Sequence, residues 1–219
     1  MKSTFQKIVE YFVDFKSLLI TLYATWRINP TKDEKHAYNT TNKILLTFDD
    51  FADEKTIKLI LDILKNEKVK AAFFLIGDWA AENPRLVNEI KKAGHWVGNH
   101  TKTHANLLKI SDAKIRKEIL GGPASKLLRP PYGCYNKKVR NIAKELGYKI
   151  CYWNIDSDDW KGIFPDAIEK RIFNSLQEGA CILMHLNGKY TVDVLPKIIK
   201  GIKERGYQLC QDGKELDYA

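Results

Sequence analysis

The sequence predicts a barrel-like α/β fold in which parallel strands alternate with helices. From Lys43 onward, short β-rich runs alternate regularly with amphipathic stretches. Strand–helix–strand order implies parallel strands joined by right-handed crossovers. Glycines also follow the helical patterns and precede the next strands, as expected where a helix ends in an αβ turn. These glycines are Gly94, Gly147, Gly179 and Gly206.

Seven strands are predicted from the β-rich runs. They are Lys43–Phe48, Ala71–Ile76, His95–Gly98, Leu127–Arg129, Lys149–Trp153, Ala180–Met184 and Tyr207–Cys210. Between the strands, apolar residues recur at helical spacing, as at Ile57, Ile60 and Leu64. A further helix is predicted over Asp112–Leu120, because the Gly-Gly-Pro run that follows must end it.

The length of 219 residues suits one such domain. We expect an N-terminal helical segment and linker over residues 1–42 and the barrel over residues 43–219. Charged residues interrupt the apolar stretch Ile8–Ile28, so it is too broken to span a bilayer, and it lacks a clear signal-peptide cleavage site. The preferred interpretation is an amphipathic helix packed on the domain, and the alternative is peripheral contact with a membrane surface.

Composition excludes several classes of protein. With 44% apolar and 29% charged residues, the chain is typical of a soluble globular protein. Its net charge of +9 is spread along the chain, which argues against a nucleic-acid partner. The cysteines form no Cys-x-x-Cys pair, so no zinc finger is predicted. Three of the four lie in apolar runs and are expected to be buried free thiols: Cys151, Cys181 and Cys210, but not Cys134.

Polar residues gather where the predicted strands end. In parallel barrels the loops after the strands converge over one opening, where catalytic groups collect. The residues in question are Asp49, Asp50, His100, His104, Arg129, Asp156, Asp159 and His185. Any one of them has an ordinary structural explanation, but their shared placement predicts a single site built from five segments.

The histidines of this set predict a catalytic metal site. His100 and His104 are four residues apart, so both imidazoles can point the same way, as in paired zinc ligands. Two histidines and one carboxylate leave a zinc position open for water. The adjacent pair Asp49 and Asp50 supplies that carboxylate and a second one, because the backbone turns at a strand end.

The remaining polar residues suit hydrolysis. Zinc lowers the pKa of its bound water to about 7, and a nearby carboxylate can act as general base. His185 is the candidate general acid, and a buried carboxylate such as Asp156 would raise its pKa. Arg129 would keep Asp49 ionised and aimed. His36 is expected to be solvated and His95 structural.

Five ordered motifs resemble those of the NodB-type polysaccharide deacetylases, the family of peptidoglycan and chitin deacetylases and acetylxylan esterases. The motifs are LTFDD (46–50), HTKTH (100–104), RPPYG (129–133), DSDDW (156–160) and LMH (183–185). The resemblance implies a distorted seven-stranded (β/α) barrel, with residues 43–219 as the catalytic domain. It also implies one divalent metal, most often zinc, with cobalt or another ion as alternatives.

The same resemblance implies a role for each motif residue. Asp49 is the base, His185 the acid tuned by Asp156, and Arg129 orients Asp49. Asp50, His100 and His104 are the metal ligands. The Tyr132 N–H stabilises the oxyanion, and Trp160 and Leu183 line a pocket for the acetyl methyl group. We expect metal-bound water to attack the acetyl carbonyl of an N-acetylglucosamine-containing glycan, in a monomer that acts outside the cytoplasm or at the cell envelope.

The sequence departs from the family pattern beside the site. Phe51-Ala52 stands where Gly and a turn residue are usual, so a side chain narrows the expected groove. An O-acetyl (xylan) esterase or a small-molecule amidohydrolase would use the same residues and stay open as alternatives. A non-catalytic glycan-binding module has little reason to keep base, acid and ligands. A zinc peptidase lacks its Glu between His100 and His104.

Overall fold

The computed structural model describes residues 42–211. The predicted N-terminal helical segment, including Ile8–Ile28 and all of the linker except Asn42, lies outside the described residues, as does His36. Within residues 42–211, no helix combines the length and apolarity needed to cross a bilayer.

The described chain alternates strands and helices. The strands are β1 Leu45–Asp50, β2 Ala71–Leu75, β3 Trp96–Asn99, β4 Leu127–Leu128, β5 Lys149–Ile150, β6 Ile155–Asp156 and β7 Cys181–His185. The helices are α1 Glu54–Asn66, α2 Gly77–Glu82, α3 Pro84–Lys92, α4 Asp112–Leu120, α5 Lys137–Glu145, α6 Pro165–Asn174 and α7 Thr191–Glu204. Short 3-10 turns cover Leu107–Lys109, Pro131–Gly133 and Asp159–Lys161.

The strands form one parallel sheet that curls into an open barrel. Their order is β5-β4-β3-β2-β1-β7-β6, and every pair is parallel. In a flat sheet, seven strands are separated by six inter-strand spacings, so the two edge strands would lie roughly 29 Å apart. The chain from Ile150 to Ile155 can span at most about 18 Å, so the two edges must come together. The predicted distorted seven-stranded barrel is confirmed.

Alternation along the strands sorts their side chains into two layers. Leu46 and Phe48 of β1 pack with helix residues such as Ile57 and Ile198 in the main core. Leu45 faces the barrel interior, where it packs with the β7 residue Leu183 in a separate cluster. Thr47 and Asp49 share the parity of Leu45, so the same alternation directs polar side chains inward near the carboxyl end of β1.

Two strand predictions are wrong. Tyr207–Cys210 forms no strand: Leu209 makes one isolated bridge to Ile44. The seventh strand is instead β6, in a segment predicted only to carry site residues. The predicted strand Lys149–Trp153 ends at Ile150, because the chain then crosses the gap between the sheet edges. The backbone N–H of Asn154 already bonds to the Cys181 carbonyl at 3.1 Å.

The predictions for the cysteines and for His95 agree with the structure. All four cysteines are free thiols, and Cys151, Cys181 and Cys210 are buried. His95 is buried and its Nδ1 accepts a hydrogen bond from the Ala71 N–H at 3.2 Å. Burial lowers the pKa of His95 to about 4, so the ring is neutral. It therefore has a structural role.

The close contact between β2 and β3 gives a stability prediction. A Cβ added at Gly98 would lie 2.4 Å from the nearest ring carbon of Phe74. We expect Gly98→Ala to lower the free energy of unfolding by about 1–3 kcal/mol, as overpacking does. Urea unfolding of the purified variant measures this change. In a Phe74→Leu background the same substitution should cost less, and equal costs in both backgrounds would contradict the contact as its cause.

Candidate active site

Asp50, His100 and His104 converge at the carboxyl end of the sheet. One ligand atom from each lies within 4.8 Å of the other two. Oδ1 of Asp50 is 3.5 Å from Nε2 of His100 and 3.3 Å from Nε2 of His104. These separations match the roughly 3.3 Å expected between tetrahedral zinc ligands with bonds of about 2.0–2.1 Å. Three residues predicted from the ends of two strands therefore form one cluster.

The surroundings of the cluster also fit a cation. Oδ1 of Asp50 is buried and has no hydrogen-bond partner among the described residues, which is costly unless an ion fills the space. Nδ1 of His100 lies 2.7 Å from the Arg129 carbonyl oxygen. As a donor there, Nδ1 carries the proton and leaves the Nε2 lone pair for a metal. Burial lowers the pKa of His100 to about 3, which keeps it neutral.

Asp50 reaches the cluster because the backbone turns at the end of β1. Strand alternation alone would direct Asp49 and Asp50 to opposite faces. Asp50 has a φ of 75°, in the left-handed region, which breaks that alternation. Thr101, His104 and Tyr132 also have positive φ, between 60° and 64°. Non-glycine residues in this conformation cost free energy, and these four lie in or beside the cluster.

Asp49 and Arg129 form a buried ion pair beside the cluster. Nη1 of Arg129 donates to Oδ1 of Asp49 at 2.7 Å, and neither residue is more than 2% exposed. Oδ2 of Asp49 lies 3.7 Å from Nε2 of His100, on the side of the ligand cluster. Burial raises the pKa of Asp49, while the charge of Arg129 opposes the rise. The carboxylate is thus held by one oxygen and faces the cluster with the other.

Arg129 is held from several sides. Its Nη1 also donates to Oγ1 of Thr47 at 2.8 Å, and its Nε donates to the Cys151 carbonyl at 3.2 Å. The guanidinium lies 4.0 Å from the ring centroid of Phe74. Burial disfavours its charge, but Asp49 more than compensates, and the pKa of Arg129 is raised above its usual value. It remains a cation at every relevant pH.

The structure corrects the partner of His185. Nδ1 of His185 lies 2.8 Å from Oδ1 of Asp159, and its backbone N–H donates to Oδ2 of the same residue at 2.8 Å. The prediction that Asp156 tunes His185 is therefore wrong. Oδ1 of Asp156 instead accepts from the Asp158 N–H at 3.0 Å. Asp158 has a φ of 58°, so the chain reverses there and turns Asp159 inward.

The hydrogen bonds of Asp159 explain its effect on His185. Burial would raise the pKa of Asp159, but bonds from His185 and Thr191 lower it overall; Oγ1 of Thr191 donates at 2.6 Å. Burial disfavours a charged His185, yet the bond to Asp159 raises its pKa to about 9. His185 is therefore protonated at neutral pH. No spacing rule would have indicated Thr191, which lies at the start of a helix.

The remaining predicted residues surround this centre. Tyr132 is 54% exposed, and its ring packs edge-on against His104 with centroids 4.6 Å apart. Trp160 directly follows Asp159 and is 49% exposed. Leu183 is buried in β7, two residues before His185. Two exposed aromatic side chains, Tyr132 and Trp160, and the buried Leu183 thus lie next to the polar groups in space or along the chain.

Phe51 also lies at this edge. It directly follows Asp50, and 44% of its surface is exposed, whereas its neighbour Ala52 is buried in the main core. The exposed ring agrees with a side chain at the mouth of the site.

Comparison with known proteins identifies the family. The family model for polysaccharide deacetylase matches residues 36–151. A peptidoglycan-N-acetylglucosamine deacetylase of Bacillus cereus is 37% identical over 193 residues, which cover 79% of this chain and 70% of that protein.

Two solved structures are similar in fold and sequence. A peptidoglycan N-acetylglucosamine deacetylase in complex with 4-naphthalen-1-yl-N-oxidanyl-benzamide aligns with a TM-score of 0.73 and 36% identity, covering 81% of this chain and 91% of that one. A family 4 carbohydrate esterase pseudoenzyme from Bacillus anthracis aligns with a TM-score of 0.75 and 31% identity, covering 82% and 67%.

The family match spans more than half of the chain, and the relatives share the fold that carries this site. The chain therefore belongs to the polysaccharide deacetylase family of carbohydrate-acting hydrolases.

Proposed function

We propose that this chain removes acetyl groups from N-acetylglucosamine residues of a peptidoglycan-type glycan by amide hydrolysis. One observation carries the proposal: a His/His/Asp cluster lies beside a carboxylate that is held by an arginine, and the strand next to that carboxylate ends at an imidazole held by a second carboxylate. This is the arrangement that acid–base cleavage of an amide requires. The names of the related peptidoglycan deacetylases support the substrate class.

Asp50, His100 and His104 would hold one divalent cation, with zinc favoured and cobalt or another ion as the alternative. The buried, unpartnered Oδ1 of Asp50 and the neutral His100 support this assignment. When bound, such a cation lowers the pKa of water to about 7 and polarises the acetyl carbonyl.

Asp49 acts as the general base. Its Oδ2 faces the ligand cluster, while its Oδ1 is held by Arg129. Arg129 is a positioning residue, because it touches Asp49 and not the reacting atoms. Burial makes Asp49 more basic than an exposed aspartate, which favours its acceptance of the proton from the attacking water.

His185 acts as the general acid. It gives its proton to the amide nitrogen as the carbon–nitrogen bond breaks, which releases acetate and a free amine. Asp159 fixes the tautomer through Nδ1 and keeps the ring protonated. The Tyr132 N–H would stabilise the oxyanion, and Trp160 and Leu183 would line the pocket for the acetyl methyl group.

The intact site, rather than the fold alone, supports catalysis. The Bacillus anthracis neighbour is described as a pseudoenzyme, although its fold aligns with this one.

Because peptidoglycan lies outside the cytoplasmic membrane, we place the reaction there and propose that a monomer carries it out. Acetate release from chito-oligosaccharides, peptidoglycan and acetylxylan, measured side by side, tests the assignment. Turnover of acetylxylan alone would instead favour the O-acetyl esterase.

Replacing the base should separate catalysis from metal binding. We expect Asp49→Asn to retain metal but to lose turnover by about 10²–10⁴-fold, since the amide cannot take a proton. Metal content and acetate release, measured on the same folded sample, report the two effects. Asp62→Asn, an exposed change on α1, is the matched control. Wild-type turnover in Asp49→Asn would remove Asp49 from the mechanism.

Loss of a ligand should remove both properties. We expect His100→Ala to bind no metal and to release no acetate, because two ligands hold a divalent ion poorly. Chelation of the wild-type protein should silence it, and added zinc or cobalt should restore it. Full activity after verified metal removal would refute the metal assignment.

The pH dependence should report the His185–Asp159 pair. Activity needs protonated His185, so it should fall as pH rises through about 9. Asp159→Asn removes the charge that raises the pKa, and the falling limb of kcat/KM should move to lower pH. Asp156→Asn is the matched control and should leave the limb in place. A limb that moves with Asp156 and not with Asp159 would reverse the assignment.

A further inference from the structure

Three aromatic residues, two of them exposed, lie on the loop that contains Asp159 and on the loop that follows His185. We name Trp160, Phe164, Lys189 and Tyr190 the aromatic shelf. Phe164 is 75% exposed and Trp160 is 49% exposed. The rings of Phe164 and Tyr190 stack with centroids 6.3 Å apart and an interplanar angle of 26°. Single exposed apolar residues are ordinary, but a cluster of rings on one surface indicates an interaction site.

The shelf is tied to the proposed catalytic residues through the chain. Trp160 follows Asp159 directly, and Tyr190 precedes Thr191, whose hydroxyl bonds to Asp159 at 2.6 Å. The loop that follows His185, the last residue of β7, therefore carries one ring of the stacked pair. The loop after β6 carries the other. The shelf therefore lies on the loop that contains Asp159 and on the loop that follows His185.

The shelf carries one exposed cation, Lys189. Nζ of Lys189 lies 4.8 Å from the ring centroid of Tyr190, and Lys189 is exposed. Within residues 42–211 it has no carboxylate partner, whereas Lys161 nearby pairs with Asp158 at 2.9 Å. An exposed cation beside a flat apolar surface suits a ligand that combines a C–H face with a negative group.

We propose that the aromatic shelf binds a second sugar of the same glycan chain, one that bears a carboxylate-containing substituent. The pyranose C–H face would stack on Phe164 and Tyr190, and the carboxylate would approach Lys189. In peptidoglycan, alternate sugars carry such a substituent, whereas chitin is neutral. The inference rests on the proposed function and narrows its substrate to an anionic glycan longer than the unit deacetylated.

Calorimetric binding of soluble peptidoglycan strands to the metal-loaded protein tests the stacking surface. We expect Phe164→Ala to weaken binding by about three- to tenfold. Phe164→Tyr keeps the ring and should bind as wild type. Leu59→Ala, an exposed apolar change on α1, is the control. A purely structural Phe164 would lower the melting temperature and leave the affinity unchanged. Unchanged affinity in Phe164→Ala would overturn the proposal.

Lys189→Gln tests the charge of the ligand. It should weaken binding of peptidoglycan strands but not of neutral N-acetylglucosamine oligomers, and added salt should reduce the difference. Equal effects on both glycans would overturn the anionic preference.

Turnover separates this proposal from the one on which it rests. Phe164→Ala should raise KM for long strands and leave kcat unchanged. A wild-type protein that binds strands through the shelf but releases no acetate would contradict only the proposed hydrolysis. A protein that hydrolyses the glycan normally without Phe164 would contradict only the shelf.

Discussion

The buried ion pair between Arg129 and Asp49 connects the fold to the site. Asp49 is the second-last residue of β1 and Arg129 follows β4, so the pair spans the barrel interior across two intervening strands. The same guanidinium donates to the carbonyls of Cys151 and Tyr152, in the segment that crosses between the sheet edges. Losing one partner of such a pair typically costs about 3–5 kcal/mol, because a buried charge is left alone. Barrel closure and the position of Asp49 therefore depend on one side chain.

Hydrogen bonds hold the strained backbone around the Asp50–His100–His104 cluster. Thr101 is a β-branched residue with a φ of 64°, a rare conformation that costs about 1–3 kcal/mol. Its N–H donates to Oδ1 of Asn99 at 2.7 Å, and its carbonyl accepts from Gly77 at 2.8 Å. Nδ2 of Asn99 in turn donates to the Ile119 carbonyl at the end of α4. These hydrogen bonds hold the loop that carries both histidines.

Periodic patterns in the sequence made the fold and the Asp50–His100–His104 cluster predictable. The features that were not predicted depend on local turns of the backbone. The alternation of runs predicted the parallel barrel, and the strand ends predicted where Asp50, His100 and His104 would meet. Asp156 and Asp159 could not be distinguished in this way, because both follow the same predicted strand, Lys149–Trp153. The choice between them depends on one left-handed residue, Asp158, and on a hydroxyl from Thr191. The stacking of Phe164 on Tyr190 likewise joins two loops that are distant in sequence.

Two charged residues, Arg129 and Asp159, stabilise opposite charges on the side chains that they contact. Burial raises the pKa of Asp49, and the charge of Arg129 limits that rise. Asp159 keeps an imidazole protonated where desolvation favours the neutral ring. Each charge therefore opposes the effect of burial on its own partner and favours the charged form of that partner. Because the register of β1 and β7 pairs Asp49 with His185, adjacent strands hold both groups at one edge of the ligand cluster.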